Sequence, residues 1–229
     1  MKKKVLPSLI LNLLCLSSVI LGLIFMFCGI NWDKGALVTA GFEAFQYFTV
    51  DSNVLMGVIA IIFLIYEVLL VMGKIEAIPK AIYIVKLTGT VGVALTFLTV
   101  VFYLAPTYMQ YGYSYFSMFV NANLFLHGLA PLLAIIAWLI FEHTDLLRVK
   151  TAVLGIIPMA IYAVFYITNA FTHIDAQGKI PFKYDWYAFC QGGVGFGLLS
   201  LFVMLLITTG IALLLYLGNR RIDLFKDKE

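Results

Sequence analysis

Six stretches of this chain, at about residues 5–30, 45–72, 82–104, 118–141, 151–170 and 188–217, are each apolar over some twenty positions or more. A helix needs about 20 mostly apolar residues to cross the hydrocarbon core of a bilayer. No other architecture uses six such runs joined by short connections. The sequence therefore specifies an all-α integral membrane bundle of six transmembrane helices, a single domain over residues 1–229 with no room for a separate soluble domain. Composition agrees. The chain is 63% hydrophobic and only 12% charged, with mean hydropathy +1.02, against about 25% charged in a soluble domain. A soluble enzyme, a disordered chain and a nucleic-acid-binding module are excluded on that ground. A net charge of +3 argues for no polyanionic partner.

The chain starts Met1-Lys2-Lys3-Lys4, and the apolar run behind it continues from Val5 to about Ile30. That exceeds the roughly 7–15-residue core of a cleavable signal, and no A-x-A site follows, so the segment reads as a retained span. Cationic residues then orient the bundle. With the amino terminus inside, twelve of the fifteen Lys and Arg face the cytoplasm, including Lys74, Lys80, Lys86, Arg148, Lys150, Arg220, Arg221, Lys226 and Lys228; Lys34, Lys179 and Lys183 face outward. Six spans put both termini inside. The outer loops carry Trp32, Tyr108, Tyr111, Tyr113, Tyr115, Tyr184, Trp186 and Tyr187, an aromatic belt at headgroup level. Cys15, Cys28 and Cys190 form no C-x-x-C and read as packing residues. Nothing supplies three convergent metal ligands, and no cofactor is implied.

Polar groups at membrane depth need a partner or a function. Glu67 and Lys86 approach the inner ends of adjacent spans and are expected to form a snorkelling pair. Gly89, Gly92, Thr96, Thr99 and Tyr103 share one face of span three. Gly193 and Gly197 form a small-residue pattern expected within span six. Two clusters remain. Span two opens Phe48-Thr49-Val50-Asp51-Ser52-Asn53, where Thr49, Ser52 and Asn53 share a helix face and Asp51 points elsewhere. Span four carries Asn121-Ala122-Asn123 and His127-Gly128-Leu129-Ala130-Pro131. Asn123 and His127 stack at four-residue spacing, and Pro131 denies the His127 carbonyl its N–H and should kink the helix there. On these boundaries Thr49 lies ~6 Å and His127 ~13 Å inside the outer half, at ~1.5 Å per residue.

If hydroxyl and imidazole meet, the histidine can take the alcohol's proton during attack on an ester and return it to the leaving group. Asn53 or Asn123 would orient the ring or donate to a developing oxyanion. The same residues also suit two other readings. One is a polar packing network in a structural or regulatory membrane protein. The other is the lining of a small-solute transporter, for which the largely apolar inner halves give little support.

At these two segments the chain resembles the family of the androgen-induced-gene protein and the androgen-dependent TFPI-regulating protein, transmembrane threonine hydrolases with bacterial six-span relatives. The matching pieces are Phe48-Thr49-Val50-Asp51-Ser52-Asn53 and His127-Gly128-Leu129-Ala130-Pro131, with a weaker match at Gly178-Lys179-Ile180-Pro181-Phe182. The histidine-to-proline spacing brings it closer to the bacterial branch. The resemblance implies a lipid-ester hydrolase that cleaves fatty acid esters of hydroxy fatty acids, with Thr49 as nucleophile and His127 as general base. It implies a membrane lipid or fatty-acid ester as substrate and the bacterial plasma membrane as location. Ser52, Asn53, Asn123 and Asn169 are the candidates to bind substrate or orient the pair.

Overall fold

The computed structural model describes residues 2–37 and 41–221. Among them every regular element is helical, and six helices are long and apolar enough to cross a bilayer. They are α1 (Lys2–Cys28), α2 (Phe48–Val71), α3 (Lys80–Met109), α4 (Leu124–Phe141), α5 (Val149–Thr172) and α6 (Val194–Arg221). The chain is thus a multi-pass membrane protein. In a medium without water each backbone N–H and C=O must be satisfied within its own segment, which a helix does. The tail residues Lys226 and Lys228, counted in the charge bias, lie outside the described residues.

Local sequence sets the helix ends. Gly29 (φ 62) and Gly73 (φ 70) adopt the left-handed conformation just past α1 and α2. There the N–H of Ile30 donates to the Phe25 carbonyl, and that of Lys74 to the Leu69 carbonyl, both at 2.9 Å. Only glycine takes that turn without a Cβ clash. Pro79 precedes α3 in an extended conformation, where its missing N–H costs no helical bond.

The most buried span is α3, with 56% of its most apolar window inside the bundle against 39% or less elsewhere. Its glycines explain the close packing. A Cβ at Gly89 would lie 2.7 Å from Ile59 Cδ1, and one at Gly92 would lie 3.3 Å from Ser52 Cβ. The small face expected on this span holds as far as Thr96. A π-helical turn at Val100–Leu104 then rotates the helix, and Tyr103 ends 64% exposed. On the far side, a Cβ at Gly155 of α5 would lie 2.9 Å from Val91 Cγ2 of α3 and 3.2 Å from Ala212 Cβ of α6.

Two larger apolar cores and two smaller clusters result. Trp138, Tyr166, Leu87, Leu95, Ala212 and Tyr216 belong to one that joins α3, α4, α5 and α6. Cys15, Val19, Met56, Ile59, Val93 and Ala134 belong to the other, which joins α1 to α4. The outward faces carry exposed Ile65, Ile161, Val164 and Leu214, as a lipid-facing surface requires. Cys15 and Cys190 are buried and Cys28 is exposed.

The helices differ from the sequence expectation in three places. Span four begins at Leu124 rather than near 118. A separate 3-10 turn at Tyr115–Phe119, capped by Ser114, precedes it, and Asn121 (φ 58) reverses the chain. Span six begins at Val194, so Gly193 (φ 94) is a turn residue outside the helix, and Gly197 makes room for Cys190 rather than for another helix. Lys86 does not snorkel. It is fully buried and pairs with Glu142 at 3.1 Å.

Candidate active site

Thr49 occupies the first turn of α2. Tyr47 before it is extended and supplies no side-chain cap. Instead the phenolic oxygen of Tyr187, from the loop before α6, accepts the Phe48 N–H at 3.0 Å. Desolvation pushes the Tyr187 pKa up to about 12, so it stays a neutral phenol. Tyr162 of α5 donates to the Gln46 carbonyl at 2.5 Å and accepts from Trp186 Nε1 at 2.9 Å. The entry to α2 is thereby fastened to α5 and the last loop.

Inside that first turn the Thr49 carbonyl accepts two side-chain bonds, from Ser52 Oγ at 3.1 Å and Asn53 Nδ2 at 2.8 Å. Asn53 is fully buried. The same amide nitrogen donates to the Leu126 carbonyl of α4 at 2.9 Å. The Thr49 and Leu126 carbonyl oxygens therefore lie no farther apart than those two bonds laid end to end. Both amide hydrogens of Asn53 are spent, so this residue positions the two helices and cannot also donate to an oxyanion. Its Oδ1 is buried without a partner. The Thr49 side chain is half-buried, and its hydroxyl has no hydrogen-bond partner among the described residues.

His127 follows Leu126 in a π-helical turn, Leu124–Leu129. This irregular turn ends just before Pro131, which stands in the first turn of the regular helix that follows. The widened turn lets the Ala130 N–H reach the Phe125 carbonyl ahead of the proline. Such insertions re-aim side chains. His127 is 4% exposed, and its Nδ1 lies 3.0 Å from the Met118 carbonyl. A carbonyl only accepts, so Nδ1 carries the hydrogen, and Nε2 is the nitrogen that a neutral ring presents as a bare lone pair. Nε2 has no partner among the described residues. Because span four starts later than expected, His127 is only the fourth residue of α4, and Thr49 is the second of α2. Their depths in the bundle differ less than the sequence arithmetic gave.

The remaining candidates have other duties. Ser52 Oγ also meets Thr96 Oγ1 at 3.2 Å, tying α2 to α3. Asn123 does not share a site with His127. Its amide donates to the Leu37 carbonyl at 2.8 Å, and Asn121 holds the backbone of Trp32 and Asp33. These two asparagines fasten the first loop over the start of α4. Asn169 donates to the Tyr184 carbonyl at 3.1 Å, and no hydrogen bond joins it to Thr49 or His127. It belongs with buried Asp185, which accepts from Tyr166 Oη, the Cys190 N–H and Gln191 Nε2.

A cleft of about 350 Å³ opens between α2 and α5 at the same level. It is lined by Phe48, Asp51, Ser52, Leu55, Pro158, Ile161, Tyr162 and Phe165. Neither Thr49 nor His127 lines it, although residues on both sides of Thr49 do. Sequence reading missed this cleft and the Met118 carbonyl that sets the histidine tautomer. Asp51, an acid in the first turn of a span, was the one signal for the cleft. Among the described residues no cluster of three or more His, Cys, Asp or Glu could hold a metal ion. No family model, curated protein or solved structure matches the chain.

Proposed function

We propose that the chain is an intramembrane lipid-ester hydrolase in which Thr49 is the nucleophile and His127 the general base. One observation carries the reading. The Met118 carbonyl holds His127 in the tautomer whose Nε2 is free to accept a proton, while Asn53 ties the adjoining Leu126 to the carbonyl of Thr49. The resemblance to transmembrane threonine hydrolases at Phe48–Asn53 and His127–Pro131 supports the same roles.

The chemistry runs in two halves. Nε2 of His127 removes the Thr49 hydroxyl proton as Oγ1 bonds to the ester carbonyl carbon. The tetrahedral adduct collapses, the alcohol leaves, and it takes the proton from Nε2. Water, deprotonated by the same nitrogen, then attacks the Thr49 acyl ester; the bond from the acyl carbon to Oγ1 breaks, Oγ1 takes the proton from Nε2, and the carboxylic acid leaves. Asn53 is a positioning residue. The unpartnered Oδ1 of Asn53, one turn from Thr49, is an acceptor suited to the hydrolytic water. The cleft beside Phe48 and Ser52, with its apolar α5 wall, suits the acyl chain of a lipid entering sideways from the bilayer. The cationic bias supports cytoplasmic termini with this end of the bundle in the outer leaflet, and the resemblance implies a bacterial plasma membrane.

The test is hydrolysis of a fatty acid ester of a hydroxy fatty acid by the purified chain in lipid nanodiscs. Thr49→Ala and His127→Ala should each abolish turnover while the protein still assembles. A fluorophosphonate probe should label the wild type and not Thr49→Ala. Ordinary turnover in both variants overturns the mechanism. It leaves the packing-network reading, which the structural bonds of Ser52, Asn123 and Asn169 favour. A transport path between α1 and α4 is opposed by the buried apolar layer of Met56, Ile59, Ala60, Val93 and Ala134, each at most 3% exposed.

A further inference from the structure

A second polar cluster lies at the opposite end of α2, α3 and α4, where α1 joins them, and takes no part in the chemistry above. Asn12 (α1), Glu67 (α2), Lys86 (α3) and Glu142, the residue that caps α4, are each at most 3% exposed. Lys86 Nζ sits 3.1 Å from Glu142 Oε1 and donates to Asn12 Oδ1. Asn12 Nδ2 donates to Glu142 Oε1 at 2.8 Å and to Glu67 Oε2 at 3.2 Å. Ser8 Oγ donates to Glu142 Oε1 at 3.3 Å. The Phe63 ring lies 4.9 Å from the ammonium.

Two features are unbalanced. One ammonium faces two carboxyl groups, which would leave a net negative charge in a dry interior if both were ionised. Isolated buried charge costs several kcal/mol even after relaxation, and a group in that position neutralises instead. Independently, Glu142 Oε2 is buried with no hydrogen-bond partner, which leaves a lone pair on the carboxyl at the centre of the cluster. A metal ion is a poor occupant, because Lys86 already holds Glu142 Oε1 and Asn12 Oδ1, the oxygens it would use. The other titratable side chains facing the cluster are Cys15 of α1 and Tyr83 of α3, and both are neutral when protonated. His143 turns to the Asn219 carbonyl and Asp145, and Arg220 to Tyr216 and Asp145.

We infer that Asn12, Glu67, Lys86 and Glu142 form a binding site for one proton, shared between the two glutamates with Lys86 as the fixed counter-charge. Two carboxyls, one ammonium and one added proton leave the cluster neutral. Glu67 stands four residues before the end of α2 and Glu142 closes α4, so the proton exchanges with water at the face where both termini lie. The folded chain then holds one proton that the same carboxyl has lost in an unfolded chain at neutral pH. More protons bound in the folded state mean that stability falls as pH rises. The unfolding constant grows about tenfold per pH unit for one proton.

Infrared spectroscopy of the full chain in nanodiscs tests this. At neutral pH the wild type should show a protonated-carboxyl C=O band that shifts in D2O and titrates away at alkaline pH as thermal stability falls. Glu67→Gln, whose amide mimics the neutral acid, should assemble, lose one carboxyl of band intensity and lose the alkaline fall in stability. Glu142→Gln should lose the same band by leaving Glu67 as the sole, ionised partner of Lys86. No wild-type band at neutral pH overturns the site. So does a band undiminished in whichever variant folds, or failure of both variants to fold, because a neutral shared acid must accept one amide in its place.

Discussion

The two polar clusters sit at opposite ends of α2, α3 and α4, and the contrast between them is instructive. At the terminal face, Ser8, Asn12, Glu67, Lys86 and Glu142 aim their bonds at one another across four helices. At the opposite face, Asn53 spends its amide on two backbone carbonyls and leaves its Oδ1 buried without a partner, and among the described residues nothing bonds the Thr49 hydroxyl or His127 Nε2. Buried polar groups bonded inward fix helix positions, and unpaired ones are available to something that arrives. The first cluster therefore fixes helices against one another, and the second leaves polar atoms open to a ligand, as the proposed roles require. The layer between them, Met56, Ile59, Ala60 and Val93, is buried and apolar.

Several substitutions test that division. The largest stability effect should come from Lys86→Met. It strands two carboxyls beside each other in the dry core and should cost ~3–5 kcal/mol, read as loss of assembled protein or a large drop in thermal midpoint. Met56→Ala should open a cavity in the buried layer at a cost of ~2–5 kcal/mol, with thermal unfolding as the measure, and should leave the labelling of Thr49 by a hydrolase probe intact. Labelling lost in Met56→Ala would mean that the two ends are coupled. Asn53→Ala removes two hydrogen bonds worth ~1 kcal/mol each. It should lower the thermal midpoint modestly yet reduce ester hydrolysis far more, because it releases Leu126 and hence His127 from the α2 entry. Equal loss of stability and turnover would make Asn53 a packing residue alone. Tyr187→Phe should be mildest. It deletes the acceptor for the Phe48 N–H, at ~1 kcal/mol, and the readout is thermal stability with hydrolysis measured alongside.

The helices were legible because their signals are local. Apolar runs, Gly29, Gly73 and Pro79 mark spans and ends within a few residues of where they act. The expected boundaries slipped where a single backbone torsion intervened. Asn121 at φ 58 turns the chain before α4, and no apolar count reveals a left-handed asparagine. Thr49 and His127 were selected by residue type at membrane depth. The groups that give them meaning, the Met118 carbonyl and the Leu126 carbonyl, are backbone atoms that every residue possesses. Lys86 was matched to Glu67 because both approach the inner ends of adjacent spans, yet it bonds Glu142, 56 positions later. Asn123 and Asn169 turn out to hold loops, a role that no spacing rule separates from catalysis.

Hydrophobicity acts residue by residue, so the amino-acid order alone determined six spans, their polar interruptions and the scarcity of charge. Partner choice among buried polar groups depends on distances between helices remote in the chain, and those distances come from how glycines such as Gly89, Gly92 and Gly155 let helices approach. Only the packed bundle decided which carbonyl holds the His127 ring, which acid meets Lys86, and which side of α2 opens into a cleft.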